Sequence, residues 1–350
     1  MELFNKNLTK KYFAKKLLTE KAYKKLELLK KDLLNLKSVV IAFSGGVDSA
    51  FLLKVASDVF YGLGFSKPIL YKPFFSGHFF SRSAKHRPAT HKPSKQLNAK
   101  LITDQLITND LNFCKNDRKD KVIDKVIGKV IAVTISSPAY PKRELENAIN
   151  TAKLFNVKHI VIESNELENI NFVKNDINRC YYCKKSNFLK IKEIARDNNI
   201  DYVIDGQNYD DLEDFRPGMK AAEELGVLSP LKTVKLTKDE IRFLSKQMGI
   251  AGWDRPSFAC LASRIPYGTE INKNLLNKID YLEDFLISKG FRQVRVRHHD
   301  RIARIEIDKK DFKKILKVRD EIVFEFKKQG YDFVTIDLEG YRTGSLNKFI

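Results

Sequence analysis

The 350-residue sequence holds only four cysteines and has nothing close to the roughly 18 consecutive apolar residues of a membrane-spanning helix. So sparse a cysteine content excludes a disulfide-stapled scaffold, and the missing apolar run excludes a helical membrane anchor. The first residues are rich in lysine but show neither a long apolar segment nor a small-residue cleavage site, so no secretory leader is expected. A reducing cytoplasm is the expected compartment, where thiols stay free, bind metal or react.

Apolar residues make up 43% of the chain, enough for real cores, and the length predicts about two domains. The net charge of +20 is unevenly spread. Residues 1–37 carry a net +7 and residues 67–129 a net +9. A basic surface can attract nucleic acid, but solvated lysine faces are also common. Because the charge lies away from the motifs that carry chemistry, no nucleic-acid partner is expected.

Apolar spacing predicts a helix over 16–36, a buried strand over 38–43 and a helix over 50–60. Residues 67–128 hold four prolines and weak periodicity, and read as an irregular insertion with a short helix near 98–113. His78, His86, His91 and Cys114 match no metal-ligand spacing. Strands follow at 130–135, 159–162 and 202–204, with helices at 142–155 and 186–198. Alternating strands and helices imply an α/β fold with a parallel sheet and right-handed crossovers. Ligands then sit beyond the carboxyl ends of the strands, where the Ser44–Ser49 turn, Ser136-Ser137 and the 205–211 segment all fall. After Pro266-Tyr267-Gly268 the order becomes helix 272–288, strands 293–297 and 302–307, helix 310–328 and strand 333–338. That order describes a small α+β domain. The expected domains are therefore 1–37, a basic helical extension; 38–268, with the insertion; and 269–350.

Ser44-Gly45-Gly46-Val47-Asp48-Ser49 joins a strand to a helix. Two glycines let the backbone turn sharply and approach an anion, and free amides at the helix start favour phosphate. Asp48 suits a capping or Mg²⁺ role. No Gly-Lys-Ser/Thr ending follows, which excludes the phosphate loop of kinases and GTPases. The plain alternative is a glycine turn without ligand. Arg179-Cys180-Tyr181-Tyr182-Cys183-Lys184 supplies a C-x-x-C, and Cys260 lies downstream. Zinc lacks a fourth ligand here and a dithiol pair needs no third cysteine, whereas three thiolates can hold an iron–sulfur cluster. Cys260 also reads as a core residue. Arg179, Lys184 and Lys185 are expected to favour thiolate at the pair.

The glycine turn resembles the PP-loop of the ATP pyrophosphatase superfamily. The wider set of motifs resembles the LarE family of ATP-dependent sulfur transferases. It comprises Ser136-Ser137-Pro138, Asn178-Arg179-Cys180-Tyr181-Tyr182-Cys183-Lys184, Asp205-Gly206-Gln207-Asn208-Tyr209-Asp210-Asp211, Phe215-Arg216-Pro217-Gly218, Cys260-Leu261-Ala262-Ser263-Arg264 and Leu338-Glu339-Gly340-Tyr341-Arg342. The resemblance covers about residues 38–66 and 128–350 and leaves 67–127 unexplained. It implies an adenine nucleotide alpha hydrolase-like, Rossmann-like sheet. The implied substrate is pyridinium-3,5-biscarboxylic acid mononucleotide, a small nucleotide on the path to the nickel-pincer cofactor of lactate racemase. Its carboxylates would be adenylated and converted to thiocarboxylates. ATP with Mg²⁺ would sit on Ala42, Ser44, Gly45, Gly46, Val47, Asp48, Ser49 and Ser136. Cys180 would give up its sulfur. In a second mode, Cys180, Cys183 and Cys260 would instead hold a 4Fe-4S cluster.

Asp205, Asn208, Asp211, Arg216 and Arg264 are candidates for the substrate, against turn chemistry for the first three and ion pairing for the arginines. His298-His299 reads as a loop and Trp253 as packing. A homo-oligomer is expected. A tRNA thiolase shares the loop, the cysteine pair and adenylation, and a non-catalytic nucleotide-binding or metal-storage protein is the reading of another class.

Overall fold

Strand β1 (Ser38–Ala42) places Val39, Val40 and Ile41 wholly out of solvent, as its β-branched run requires. The computed structural model describes residues 2–62, 128–213 and 217–342, all within one compact unit. The 67–128 insertion, with His78, His86, His91 and Cys114, lies almost wholly outside the described residues, as does Arg216. A long helix, α1 (Glu2–Leu36), precedes β1, and α2 (Val47–Phe60) follows the glycine turn. Next come β2 (Lys129–Ser136), α3 (Lys142–Leu154), β3 (Lys158–Glu163), α4 (Ile170–Val173), α5 (Arg179–Asp197) and β4 (Tyr202–Asp205). The four strands form a parallel sheet of order β3-β2-β1-β4, with Ala42 opposite Val133 on one side and Asp205 on the other.

Alternation along β1 divides the core. Val39 and Ile41 face one layer with α1, α2 and α8 (Lys238–Gln247), while Val40 faces Phe188, Ile191 and Ala195 of α5 and Ala222 of α6 (Pro217–Glu224). A short α7 (Pro230–Thr233) leads into α8. Ala22, Leu26, Leu29 and Leu33, spaced at one helical face, are fully buried against the first layer. Each leucine contributes about 1.5–3 kcal/mol by burial. The inner half of α1 is thus part of the main core. Lys25 ties it to α8, 2.6 Å from Glu240.

The last segment holds α9 (Lys273–Ser288), β5 (Val294–His299), β6 (Ile302–Ile307), α10 (Phe312–Lys317), α11 (Arg319–Lys328) and β7 (Phe333–Ile336). Its sheet has order β5-β6-β7, antiparallel then parallel, over a core of Leu282, Leu286, Val296, Ile305 and Phe326. The α-β-β-α-β order read from sequence is present, except that the single helix expected over 310–328 breaks at Val318, whose φ of −113° and ψ of 18° are non-helical. His298-His299 ends β5 rather than lying in a loop. Among the described residues no helix is long and apolar enough to cross a membrane.

Candidate active site

Gly45 takes φ +65°, and a Cβ there would stand 3.0 Å from the Cβ of Ala148 on α3. Only glycine lets the helix pack against the turn. Gly206 seals the other side, because a Cβ there would lie 2.9 Å from the Ser49 amide. Within the turn the Ser49 hydroxyl donates to Gly46 O at 3.1 Å and sits 3.2 Å from the Ser44 hydroxyl. Behind it, the Thr134 hydroxyl donates to Phe43 O at 2.7 Å. The amides of Gly46, Val47 and Asp48 stand at the start of α2, where a helix of 14 residues presents free N–H groups and its positive dipole end.

Asp48 does not cap the helix. Its Oδ2 accepts from Lys238 Nζ at 2.5 Å and from Asn208 Nδ2 at 3.2 Å. Its Oδ1 is buried with no hydrogen-bond partner. A buried carboxylate oxygen without a donor, beside a phosphate-type turn, is one that would suit a Mg²⁺ ion. Lys238 was not singled out from sequence. Its signal was the Thr237–Glu240 capping box, which fixes the start of α8 and so places Lys238 at the first helical position.

Three substrate candidates have partners within the fold. Asp205 is 3% exposed, and its carboxylate accepts from the Gln207 amide, the Gln207 side chain and the Ser229 hydroxyl at 2.6–3.1 Å. Asp211 is buried and accepts from the Asn208 amide at 3.0 Å. Both acids help to hold the turn after β4. Arg264 is fully buried, bidentate to Glu283 at 2.8 and 2.9 Å, and donates to the carbonyls of Ala259 and Cys260. The structural ion pair weighed for Arg264 is the one present. Asn208 reaches the phosphate turn, through Asp48. Ser136 ends β2, with its carbonyl accepting from the Ser164 amide at 2.8 Å.

The C-x-x-C lies on α5, which begins at Arg179, seven residues before the helix start read from apolar spacing. Charged and aromatic side chains in Arg179-Cys180-Tyr181-Tyr182-Cys183-Lys184 hide that first turn from a hydrophobic pattern. Arg179 is buried, pairs with Asn175 and lies 4.5 Å over the Tyr267 ring. Asn175 in turn donates to Pro266 O and Thr269 O. This links the start of α5 to the segment that follows Cys260. Leu261 N donates to Ala139 O at 2.8 Å, and Tyr140 packs edge-on against Phe258. The Tyr140 hydroxyl donates to Ser44 O at 2.8 Å. One loop, 137–141, thereby joins the phosphate turn to the Cys260 segment.

Burial pushes the Cys180 thiol up, Cys260 nearby adds to this, and Arg179 and Lys184 only oppose it. Cys183 is pushed well up by burial, then by Glu166, Cys260 and Cys180. The expectation that the basic neighbours favour thiolate is corrected: desolvation wins. The thiols influence one another, but among the described residues no group of three His, Cys, Asp or Glu is arranged to hold a metal. Cys183 turns to Glu166 at 3.9 Å and accepts from Asn187 at 3.5 Å, and both Cys183 and Cys260 pack against the cluster that holds Leu261 and Ile265. Glu166, missed from sequence, is buried and its carboxyl is pushed up by that burial.

A parallel sheet whose first strand feeds this glycine turn, with an acid and a lysine beside it, defines an ATP-using enzyme of the PP-loop class. No family model matches the chain. A Synechocystis protein described as uncharacterized is 39% identical over 224 residues, covering 63% of this chain and 83% of its own length. The pyridinium-3,5-bisthiocarboxylic acid mononucleotide synthase of Lactiplantibacillus plantarum is 31% identical over 216 residues, covering 62% of this chain and 78% of its own. Among solved structures, the U34-tRNA thiolase NcsA from Methanococcus maripaludis with its [4Fe-4S] cluster aligns with a TM-score of 0.41 and 14% identity, over 77% of this chain and 75% of that one. The chain belongs to the family of the pyridinium-3,5-bisthiocarboxylic acid mononucleotide synthases, the LarE family.

Proposed function

We propose that the protein is an ATP-dependent sulfur transferase acting on pyridinium-3,5-biscarboxylic acid mononucleotide, in the formation of a nickel-pincer cofactor. The observation that carries this reading is the Tyr140 loop. It ties the phosphate turn, at Ser44, to the segment bearing Cys260, which in turn is joined to the helix bearing Cys180.

A carboxylate resists attack because its charge repels nucleophiles and oxide leaves poorly. Transfer of AMP to one carboxylate oxygen, with diphosphate leaving, supplies a good leaving group. The amides after Gly45 and the hydroxyls of Ser44 and Ser49 face the phosphates, and Lys238 offsets their charge while keeping Asp48 in place. Mg²⁺, held by Oδ1 of Asp48, would neutralise the diphosphate as it departs. Cys180 then attacks the acyl carbon through sulfur and AMP leaves. Burial disfavours the free thiolate, so the proton leaves as the sulfur–carbon bond forms and is taken up by the phosphate of the departing AMP, while Arg179 and Lys184 favour the charge developing on sulfur. Breaking the Cβ–S bond of Cys180, with loss of its Cα proton, leaves a thiocarboxylate on the substrate and dehydroalanine on the chain.

Incubation with ATP, Mg²⁺ and the pyridinium biscarboxylate, followed by mass spectrometry of both products, tests this. A thiocarboxylate, with protein lighter by one H₂S, supports it. AMP formed with a tRNA acceptor and none with the pyridinium nucleotide overturns it in favour of a tRNA thiolase.

A further inference from the structure

A chain of hydrogen bonds runs from the edge strand of the sheet to the residue before the phosphate turn. His159 stands on β3, two positions from Val161, the register partner of Thr134 on β2. Its Nε2 lies 2.8 Å from the Thr134 hydroxyl, which donates to Phe43 O at 2.7 Å. Thr134 is 1% exposed, so its hydroxyl depends on these two partners rather than on water. A carbonyl only accepts, and a hydroxyl has one proton to give. That proton is spent on Phe43, so the Thr134 oxygen must accept from His159, and Nε2 must carry a hydrogen. The direction of the chain is thereby fixed, from imidazole N–H to hydroxyl to carbonyl.

Phe43 is held at its amide, its carbonyl and its ring. The N–H donates to Val133 O at 2.8 Å, the carbonyl accepts from Thr134, and the ring meets His159 edge-on, with 5.8 Å between centroids at 81°. The carbonyl matters most, because C=O and N–H of a trans peptide point to opposite sides of one plane. Turning Phe43 O toward Thr134 turns the Ser44 N–H the other way. The first amide of the phosphate turn is therefore aimed from the sheet. We propose that His159 is a positioning residue for ATP. By donating to Thr134 it strengthens the bond from Thr134 to Phe43, and so holds the Ser44 peptide in the orientation that receives phosphate. The proposal rests on the ATP-dependent reading and deepens it, giving the edge strand a part in nucleotide affinity.

The test titrates the full chain, with Mg²⁺ and no acceptor, with the α,β-methylene analogue of ATP. This analogue cannot transfer AMP, so calorimetry reads binding apart from chemistry. Thr134→Val removes the hydroxyl at nearly constant volume and should weaken binding about tenfold, and His159→Leu should weaken it about threefold. His159→Gln, whose amide can bring an N–H to the same place, should bind like wild type. In the double variant of Thr134→Val with His159→Leu the loss should equal that of Thr134→Val alone, since His159 acts only through that hydroxyl. Urea unfolding of each variant separates stability from affinity: a purely structural contact lowers stability and leaves the dissociation constant of the folded protein unchanged. His159→Leu binding like wild type, His159→Gln binding as weakly as His159→Leu, or losses that add in full in the double variant overturn the proposal. If Thr134→Val does not fold, the leucine and glutamine variants carry the test. Wild type that binds no nucleotide overturns the adenylation reading as well, whereas wild type that binds while the variants match it removes the role of His159 alone.

Discussion

The ammonium of Lys238 rests 2.5 Å from Oδ2 of Asp48, joining the phosphate turn to a helix start 190 residues further along the chain. The pair sets the orientation in which Oδ1 of Asp48 is left for a cation. Asp48→Asn should lower the rate of acceptor-dependent diphosphate release by about 100-fold, and Lys238→Met by about tenfold or more. Steady-state kinetics check this, with circular dichroism as the folding control. Wild-type kcat and KM for ATP in Lys238→Met would reduce the pair to a structural contact.

Tyr140 tests the link between the two halves of the site. Tyr140→Phe keeps the ring against Phe258 but removes the hydrogen bond to Ser44 O. Loss of stability should stay near 1 kcal/mol, while KM for ATP rises several-fold. Tyr140→Ala should lose more of both. Equal behaviour of the two variants in ATP binding would assign the effect to the ring.

The Arg264–Glu283 pair gives a stability prediction. Burial alone would raise the Glu283 carboxyl, but Arg264, aided by Arg295 and Arg143, overrides it and holds the pKa at about 2. An ordinary glutamate in the unfolded chain titrates near ~4.3. The folded value is depressed, so the contribution is complete above the unfolded value and is lost as pH falls from there toward 2. Urea unfolding between neutral pH and pH 3 should show this decline. Glu283→Gln should cost roughly 3–5 kcal/mol at neutral pH, because Arg264 is left buried and uncompensated, and its decline over the same acid range should be shallower than wild type. Parallel pH curves for the two proteins would count against the assignment.

Both thiols of the C-x-x-C are pushed up by burial, so their alkylation by iodoacetamide should be slower than that of a free cysteine at pH 8 and should rise toward higher pH. Peptide mapping gives each rate separately. Cys180 alkylating like an activated thiolate at neutral pH would show that the charge of Arg179 and Lys184 outweighs desolvation.

Much of this was readable in the sequence. Val39-Val40-Ile41 followed by Ser44–Ser49 gave strand, turn and helix, because buried parallel strands and glycine turns each leave a local signal. The fates of Asp205, Asp211 and Arg264 were not readable. Each residue type serves ligands and internal bonds equally well, and what decides is a partner far away in sequence, as Glu283 is for Arg264. Lys238 and Glu166 were missed for the same reason. Each acquires meaning only from the side chain the fold sets beside it, Asp48 for one and Cys183 for the other. The inner half of α1, expected as a basic extension, showed its leucine spacing plainly but not the surface it covers.

That last point is testable. Leu29 is fully buried against the main core, so Leu29→Ala should cost about 2–5 kcal/mol in chemical unfolding. A loss below the measurement error would return α1 to the role of a loosely attached segment.

The most direct test compares wild type with Cys180→Ala in one mixture of ATP, Mg²⁺ and pyridinium biscarboxylate, following AMP, diphosphate and thiocarboxylate together. Both proteins should release diphosphate as the acceptor is adenylated, and only wild type should yield thiocarboxylate with matching AMP. Absence of diphosphate from wild type, or thiocarboxylate from Cys180→Ala at the wild-type rate, would contradict the account.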